Sequence, residues 1–142
     1  MLIYFIQITN LINISIVLDK EKLNIQKMLL FLKHKSQIRR GSAAILVKNI
    51  CFVSTDNFWL LGPSVDILPA LLLPLAGGPE IANLDMDDME KLPDELQFLE
   101  ETKTREPDED IRRMLVEAIH LLCNKKSDRQ FVKGTNRKFL RI

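Results

Sequence analysis

Apolar residues recur at helical spacing in the last third of the chain. They follow the i, i+3, i+4, i+7, i+8 pattern over three turns, at Ile111, Met114, Leu115, Ala118, Ile119, Leu122 and Cys123. Pro107 stands at the start of this run, and Asp108 to Asp110 fill the first turn, where acidic side chains complement the helix dipole. The pattern predicts a helix up to Cys123. A last helix, capped by Ser127 and closed by Gly134, is predicted after it.

Weaker helical patterns cover the first half of the chain. Leu2 to Val17 is compatible with a helix or, on its isoleucine content, a strand, and we choose the helix. A second helix is predicted from Lys20 to Lys35, and a third from Ile38 to Phe52. The buried face of the third helix is predicted at Ala44, Ile45, Val47, Ile50 and Cys51. Gly41 inside it costs about 1 kcal/mol of helix propensity but allows a neighbouring helix to approach.

Turn residues delimit two short elements in the middle of the chain. Residues 55–57 open a turn that carries Phe58, Trp59 and Leu60, and Gly62-Pro63 ends it. We expect Trp59 to pack between helices. Asp66 is a candidate cap for the next helix, in which Pro69 falls within the first turn, and Pro74 and Gly77-Gly78 stop it.

The charge is distributed unevenly along the 142 residues, although the net charge is only +1. Thirteen of the 19 acidic residues lie between Glu80 and Asp110, against three basic residues, so this stretch carries about −10. Prolines interrupt it, and only residues 85–92 favour two helical turns. We therefore predict helical repeats over 1–79, an acidic, partly ordered and mobile connection outside the helical stack over 80–106, and a truncated helical repeat over 107–142. Charge balance for solubility is the plainer alternative.

The sequence lacks the motifs of common catalytic and metal sites. No phosphate-binding loop follows a strand, and Asp85, Asp87 and Asp88 are not followed by the glycine and glutamate of a calcium loop. Cys51 and Cys123 stand among apolar residues, which indicates buried thiols in a reducing compartment. The apolar start is interrupted by polar residues and has no basic residue before it, so it is a poor signal peptide or membrane span. We predict no enzyme, metal or cofactor.

Two charged groups are the candidate partner-binding residues. One is the acidic set Asp85, Asp87, Asp88 and Glu90, and the other is the basic pair Arg39 and Arg40. With a basic tail, the pair also suggests nucleic-acid binding; the tail comprises Lys125, Lys126, Arg129, Lys133, Arg137, Lys138 and Arg141. Because only Phe131 and Phe139 offer aromatic stacking there, a solvated helical face is the preferred reading.

Several ordered motifs resemble the brain protein 16, or HGH, family. They are Arg39-Arg40-Gly41, residues 48–52, 59–63, 65–77, 88–93 and 96–97, and the run from Arg105 to Leu115. The resemblance is specific from about residue 38 to 130 and looser before it. Gly78 is one residue more than the family's usual turn, and residues 100–103 replace a stretch that more often carries prolines.

This resemblance implies a fold and a function. The fold is an all-α, armadillo- or HEAT-like solenoid, of which the chain is a fragment with a long acidic loop. The implied function is that of a non-enzymatic, cytosolic chaperone that binds newly made elongation factor 2 and brings it to the cytosolic chaperonin. A general protein-interaction or nucleic-acid-binding helical module, or a truncated product without independent function, are the alternatives.

Overall fold

The computed structural model describes residues 24–134, and this part of the chain contains helices and no β-strand. The all-α prediction is therefore confirmed, while the solenoid architecture stays a prediction. The helix predicted for Leu2 to Val17, the start of the one predicted from Lys20, and the tail from Thr135 to Ile142 lie outside the described residues.

Eight α-helices and two 3₁₀ turns make up the described part. They are α1 (Asn24–Leu30, continued by the 3₁₀ turn Phe31–Lys33), α2 (Gln37–Val53), α3 (Asn57–Leu61), α4 (Ile67–Leu75), α5 (Gly78–Ala82), α6 (Met86–Met89), the 3₁₀ turn Asp94–Leu96, α7 (Glu109–Leu122) and α8 (Lys126–Gly134). The two longest helices of the described part, α2 and α7, were both predicted to within two residues at each end. The last helix begins at Lys126, so Ser127 lies within its first turn and does not cap it.

The two long helices lie side by side at the centre of the main core and run in the same direction. Gly41 of α2 lies against Ile111 of α7, and two turns further on Lys48 pairs with Glu117. Buried side chains from α1, α4 and α8 complete this core, which includes Ile25, Leu29, Ala44, Val47, Ile50, Leu68, Leu71, Leu115, Leu122 and Val132. One core prediction is wrong: Ile45 is 46% exposed, because its position on α2 lies outside the arc that contacts the other helices.

Aspartates begin three of the helices, as short polar side chains commonly do. Asp56, Asp85 and Asp108 each accept a hydrogen bond from the backbone N–H three residues ahead. Asp66 is the predicted cap of α4, but its side chain makes no capping hydrogen bond. Its backbone adopts a left-handed conformation with φ 49°, unlike the extended conformation usual at a cap. Trp59 is half-buried against the main core, which agrees with packing between helices.

The acidic stretch is more ordered than its sequence suggests. Its short helices enclose a second apolar cluster of Ile81, Met89, Leu92 and Leu96, and this cluster packs on Leu72 and Leu73 of α4. The expectation that residues 80–106 lie outside the helical stack is therefore wrong. The apolar side chains of this cluster come from several short elements. A periodic pattern within one helix therefore could not predict that they pack together. The predicted mobility and the domain boundaries stay predictions.

Replacing Gly41 by alanine should stabilise the protein. A methyl group there would lie 3.7 Å from Ile111 Cδ1, which is an ordinary van der Waals distance. The close approach expected at this glycine therefore leaves room for one carbon, and alanine is the better helix former by about 1 kcal/mol. Chemical denaturation should show an increase of about 0.5–1 kcal/mol in the free energy of unfolding. A decrease would mean that α7 lies closer to α2 than this structure shows.

Candidate partner-binding surface

The four acidic candidates lie together around one short helix, and we call them the acidic surface: Asp85, Asp87, Asp88 and Glu90. Asp85 caps α6 by accepting the N–H of Asp88 at 2.8 Å. Asp88 in turn accepts a hydrogen bond from the Lys91 ammonium group, and this bond raises the pKa of Lys91. All four residues are exposed, and two of them, Asp85 and Asp88, also make hydrogen bonds within the segment.

The acidic surface stands on a packed base. Met89, the last residue of α6, is buried in the second apolar cluster together with Leu92 and Leu96. That cluster rests on Leu72 and Leu73 of α4, which belongs to the main core. The acidic surface is therefore supported by packing on the core, which a preformed binding surface requires.

A strap of residues 103–106 fastens the acidic segment to α4. The Lys103 ammonium group donates to the carbonyl oxygens of Leu73 at 2.7 Å and Ala76 at 2.6 Å, near the carboxyl end of that helix. Its burial lowers the pKa of Lys103. The Lys103 carbonyl accepts the N–H of Gly78, and the Glu106 N–H donates to the Pro74 carbonyl, both at 2.8 Å. The strap therefore closes the segment into a loop that begins and ends at α4.

The basic pair divides into one structural and one exposed residue. Arg40 binds Glu106 through two hydrogen bonds, from Nε at 2.7 Å and from Nη2 at 3.1 Å, and it donates to the carbonyls of His34 and Lys35. These contacts tie α2 to the strap and to the turn before α2, which argues against Arg40 as a partner-binding residue. Arg39 is exposed, with its Nη1 3.0 Å from His34 Nε2.

The basic tail also has a structural member within the described residues. Arg129 donates to the carbonyls of Cys123 at 2.8 Å and Asn124 at 2.7 Å, and so caps the carboxyl end of α7. Lys125 and Lys126 are exposed. The side chains of the tail residues from Lys133 onward lie outside the described part.

Two buried polar pairs were not found from the sequence. One is Arg40 with Glu106, and the other is Asn57 with Asp128, whose amide and carboxylate are 2.7 Å apart between α3 and α8. Their members are 66 and 71 residues apart in the chain, so no local pattern connects them. An edge-to-face contact between Phe58 and Phe131, with centroids 5.3 Å apart, accompanies the second pair.

The described side chains offer little reactive chemistry. Burial raises the pKa of the Cys51 thiol to about 12, so this cysteine stays protonated and unreactive. Between residues 24 and 134, no three histidine, cysteine or carboxylate side chains come together in a way that could hold a metal ion. No helix in that same range has the length and apolar character needed to cross a membrane.

Comparison with known proteins identifies the relatives of this chain. Residues 4–113 match the family model described as a domain of unknown function, DUF383. Proteins named "Protein HGH1 homolog" are similar to it: the one from Xenopus tropicalis is 46% identical over 117 residues and the human one is 45% identical over 120. The one from Drosophila melanogaster is 38% identical over 111 residues.

These alignments cover most of this chain and a smaller part of each relative. They include 82%, 84% and 78% of the chain for the frog, human and fly proteins, and 32%, 30% and 29% of those proteins. The chain thus spans about a third of the length of its relatives. The family match extends from before α1 to the first five residues of α7, so it includes α2, the acidic surface and the strap. The chain belongs to the DUF383 family of HGH1 homologues, the brain protein 16 or HGH family that its motifs resemble.

Proposed function

We propose that this chain is a non-enzymatic binding module of a cytoplasmic chaperone, which binds newly made elongation factor 2 and assists its folding with the cytosolic chaperonin. The observation that carries the proposal is the acidic surface, which is held by a packed cluster and belongs to the region that the family match covers. The identity of the client comes from the resemblance to the family. Both the client and the chaperonin are therefore proposed partners.

The negative charge of the acidic surface determines which kind of partner it can bind. A group of exposed carboxylates raises the rate of encounter with a basic partner, and this attraction weakens as the salt concentration rises. All four members are exposed, and Asp85 and Asp88 also make the local hydrogen bonds that hold α6 and the turn after it. We propose that Asp87 and Glu90 contact a basic segment of the client, with Asp85 and Asp88 holding the helix that carries them.

Neutralising the two exposed carboxylates should weaken client binding without unfolding the chain. In the variant Asp87→Asn with Glu90→Gln, the dissociation constant for elongation factor 2 at low salt should rise by about three- to tenfold, as loss of two exposed charge contacts would produce. The difference from the native chain should shrink at high salt. Fluorescence anisotropy with labelled elongation factor 2 measures both.

A matched control has the same change of charge elsewhere. The variant Glu109→Gln with Asp110→Asn alters two exposed acidic residues in the first turn of α7. Its affinity for elongation factor 2 should stay close to that of the native chain. If both variants bound elongation factor 2 equally weakly, the effect would come from net charge and not from the acidic surface. If the Asp87/Glu90 variant kept native affinity, the acidic surface would be excluded as the contact. Labelled RNA should not bind the chain at the acidic surface in the absence of client, because both are negatively charged.

A further inference from the structure

The exposed face of α2 carries three apolar side chains in a row. Ile38 is 81% exposed, Ile45 46% and Phe52 73%. Because seven residues are two turns of an α-helix, these positions form one straight stripe with side chains about 10 Å apart. This apolar stripe runs along the helix axis. Exposed apolar surface that is aligned in this way on one face marks an interaction site.

The exposed Arg39 lies beside the apolar stripe at its first residue, Ile38, and the rest of the surroundings on α2 carry little net charge. Ser42 and Asn49 lie next to it on α2 at the intervening helical positions, and the Lys48 ammonium group is neutralised by Glu117 of α7 at 2.8 Å. The stripe therefore fits an apolar helix better than a charged segment.

The spacing of the apolar stripe is symmetric about its centre. Ile45 lies seven residues from both Ile38 and Phe52. In an antiparallel pair of identical helices centred on Ile45, Ile38 of each copy meets Phe52 of the other, and Ile45 meets itself. Lys48 then lies opposite Ser42, so the pairing brings no like charges together, and the helix dipoles oppose each other favourably.

We propose that α2 pairs with α2 of a second copy of this chain, antiparallel and across a two-fold axis at Ile45. The exposed surface of the three side chains equals that of about two large side chains, which is roughly 400 Å² per copy. The two stripes together account for roughly 800 Å², so the flanking polar rows must supply the rest of the roughly 1,200 Å² at the lower end of specific interfaces. The dimer should accordingly be weak, with a dissociation constant on the order of tens of micromolar.

Sedimentation equilibrium of the native chain tests the proposal directly. From about 1 to about 300 µM, which brackets that affinity, the average mass should rise from one copy towards two. Replacement Ile45→Arg should keep the chain monomeric, a shift of at least tenfold in the dissociation constant. Val116→Arg is the matched control, because Val116 is 48% exposed on α7 and off the stripe, and it should dimerise as the native chain does. A monomeric native chain at every concentration, or equal weakening by both substitutions, would overturn the proposal.

Disulfide trapping fixes the register independently of affinity. In a Cys123→Ser background, Ile45→Cys should cross-link with itself on mild oxidation, because the two-fold axis places the two thiols opposite each other. Ile38→Cys should cross-link with Phe52→Cys in a mixture but not with itself. Self-linking of the Ile38→Cys chain in preference to the mixture would indicate a parallel pair and contradict the proposed axis.

Discussion

Replacing Arg40 by methionine is expected to lower the free energy of unfolding by about 3 kcal/mol, the cost of leaving one member of a buried ion pair without its partner. The Arg40 and Glu106 side chains are only 15% and 4% exposed. Methionine fills much of the space of the arginine stem but donates no hydrogen bond. The Glu106 carboxylate and the carbonyls of His34 and Lys35 would lose the donors that Arg40 supplies. Urea denaturation followed by circular dichroism measures the loss.

Two further variants isolate the ion pair from the removal of a positive charge. Arg39→Met makes the same replacement at the next residue, which is exposed, and should change stability by less than about 0.5 kcal/mol. Arg40→Met combined with Glu106→Leu removes both partners and should recover much of the stability, because no charge is then buried alone. A double variant as unstable as Arg40→Met would contradict the ion pair as the source of the effect.

Replacing Gly78 by alanine should also destabilise the protein, by about 2–3 kcal/mol. A methyl group at Gly78 would overlap the carbonyl oxygen of Glu100, and this obstructing atom belongs to the backbone. The chain must therefore move apart where the Gly78 N–H donates to Lys103. Hydrogen exchange of the amides in residues 78–106 should accelerate, together with a lower melting temperature.

Gly77 is the neighbouring control for this prediction. A methyl group there would meet the carboxylate of Glu80, at the flexible end of an exposed side chain that can rotate away. Gly77→Ala should therefore cost much less than Gly78→Ala. Similar losses for the two variants would mean that the strap does not lie against α5 as described. The structure thus gives Gly78 a specific role, since its missing side chain leaves the space that the backbone of Glu100 and Glu101 occupies.

The sequence predicts the long helices well because their signal is local. Apolar residues from Ile111 to Leu122 repeat at helical spacing after an acidic start, and the structure confirms the helix and most of its predicted buried face. Asp108, which is predicted within the first turn, instead caps the helix. On α2 the same reasoning places Ile45 in the core, although that side chain is exposed. Apolar character alone does not tell which of two apolar arcs on a helix contacts its neighbours.

The order within the acidic stretch could not be predicted, because its causes are distant in sequence. Leu72 and Leu73 of α4 support the apolar cluster, and Arg40 binds Glu106 across 66 residues. The prediction rests on the charged residues of this stretch, most of which are exposed, and on its prolines. The packed base of the stretch consists of a few apolar residues on separate short helices. The candidate residues Asp87 and Glu90 follow from composition, and the roles of Asp85, Asp88 and Arg40 in structure emerge only from the contacts they make.

Co-purification of the chain with elongation factor 2 during its synthesis tests the central proposal most directly. Elongation factor 2 is translated in a eukaryotic lysate with the tagged chain present, and the bound fraction is followed as synthesis proceeds and folding completes. We predict that the chain captures newly made elongation factor 2 together with the cytosolic chaperonin, releases it as it folds, and captures less in the Asp87/Glu90 variant. Failure to capture elongation factor 2 at any stage, or capture of fully folded and newly made elongation factor 2 to the same extent, would contradict a role in its folding.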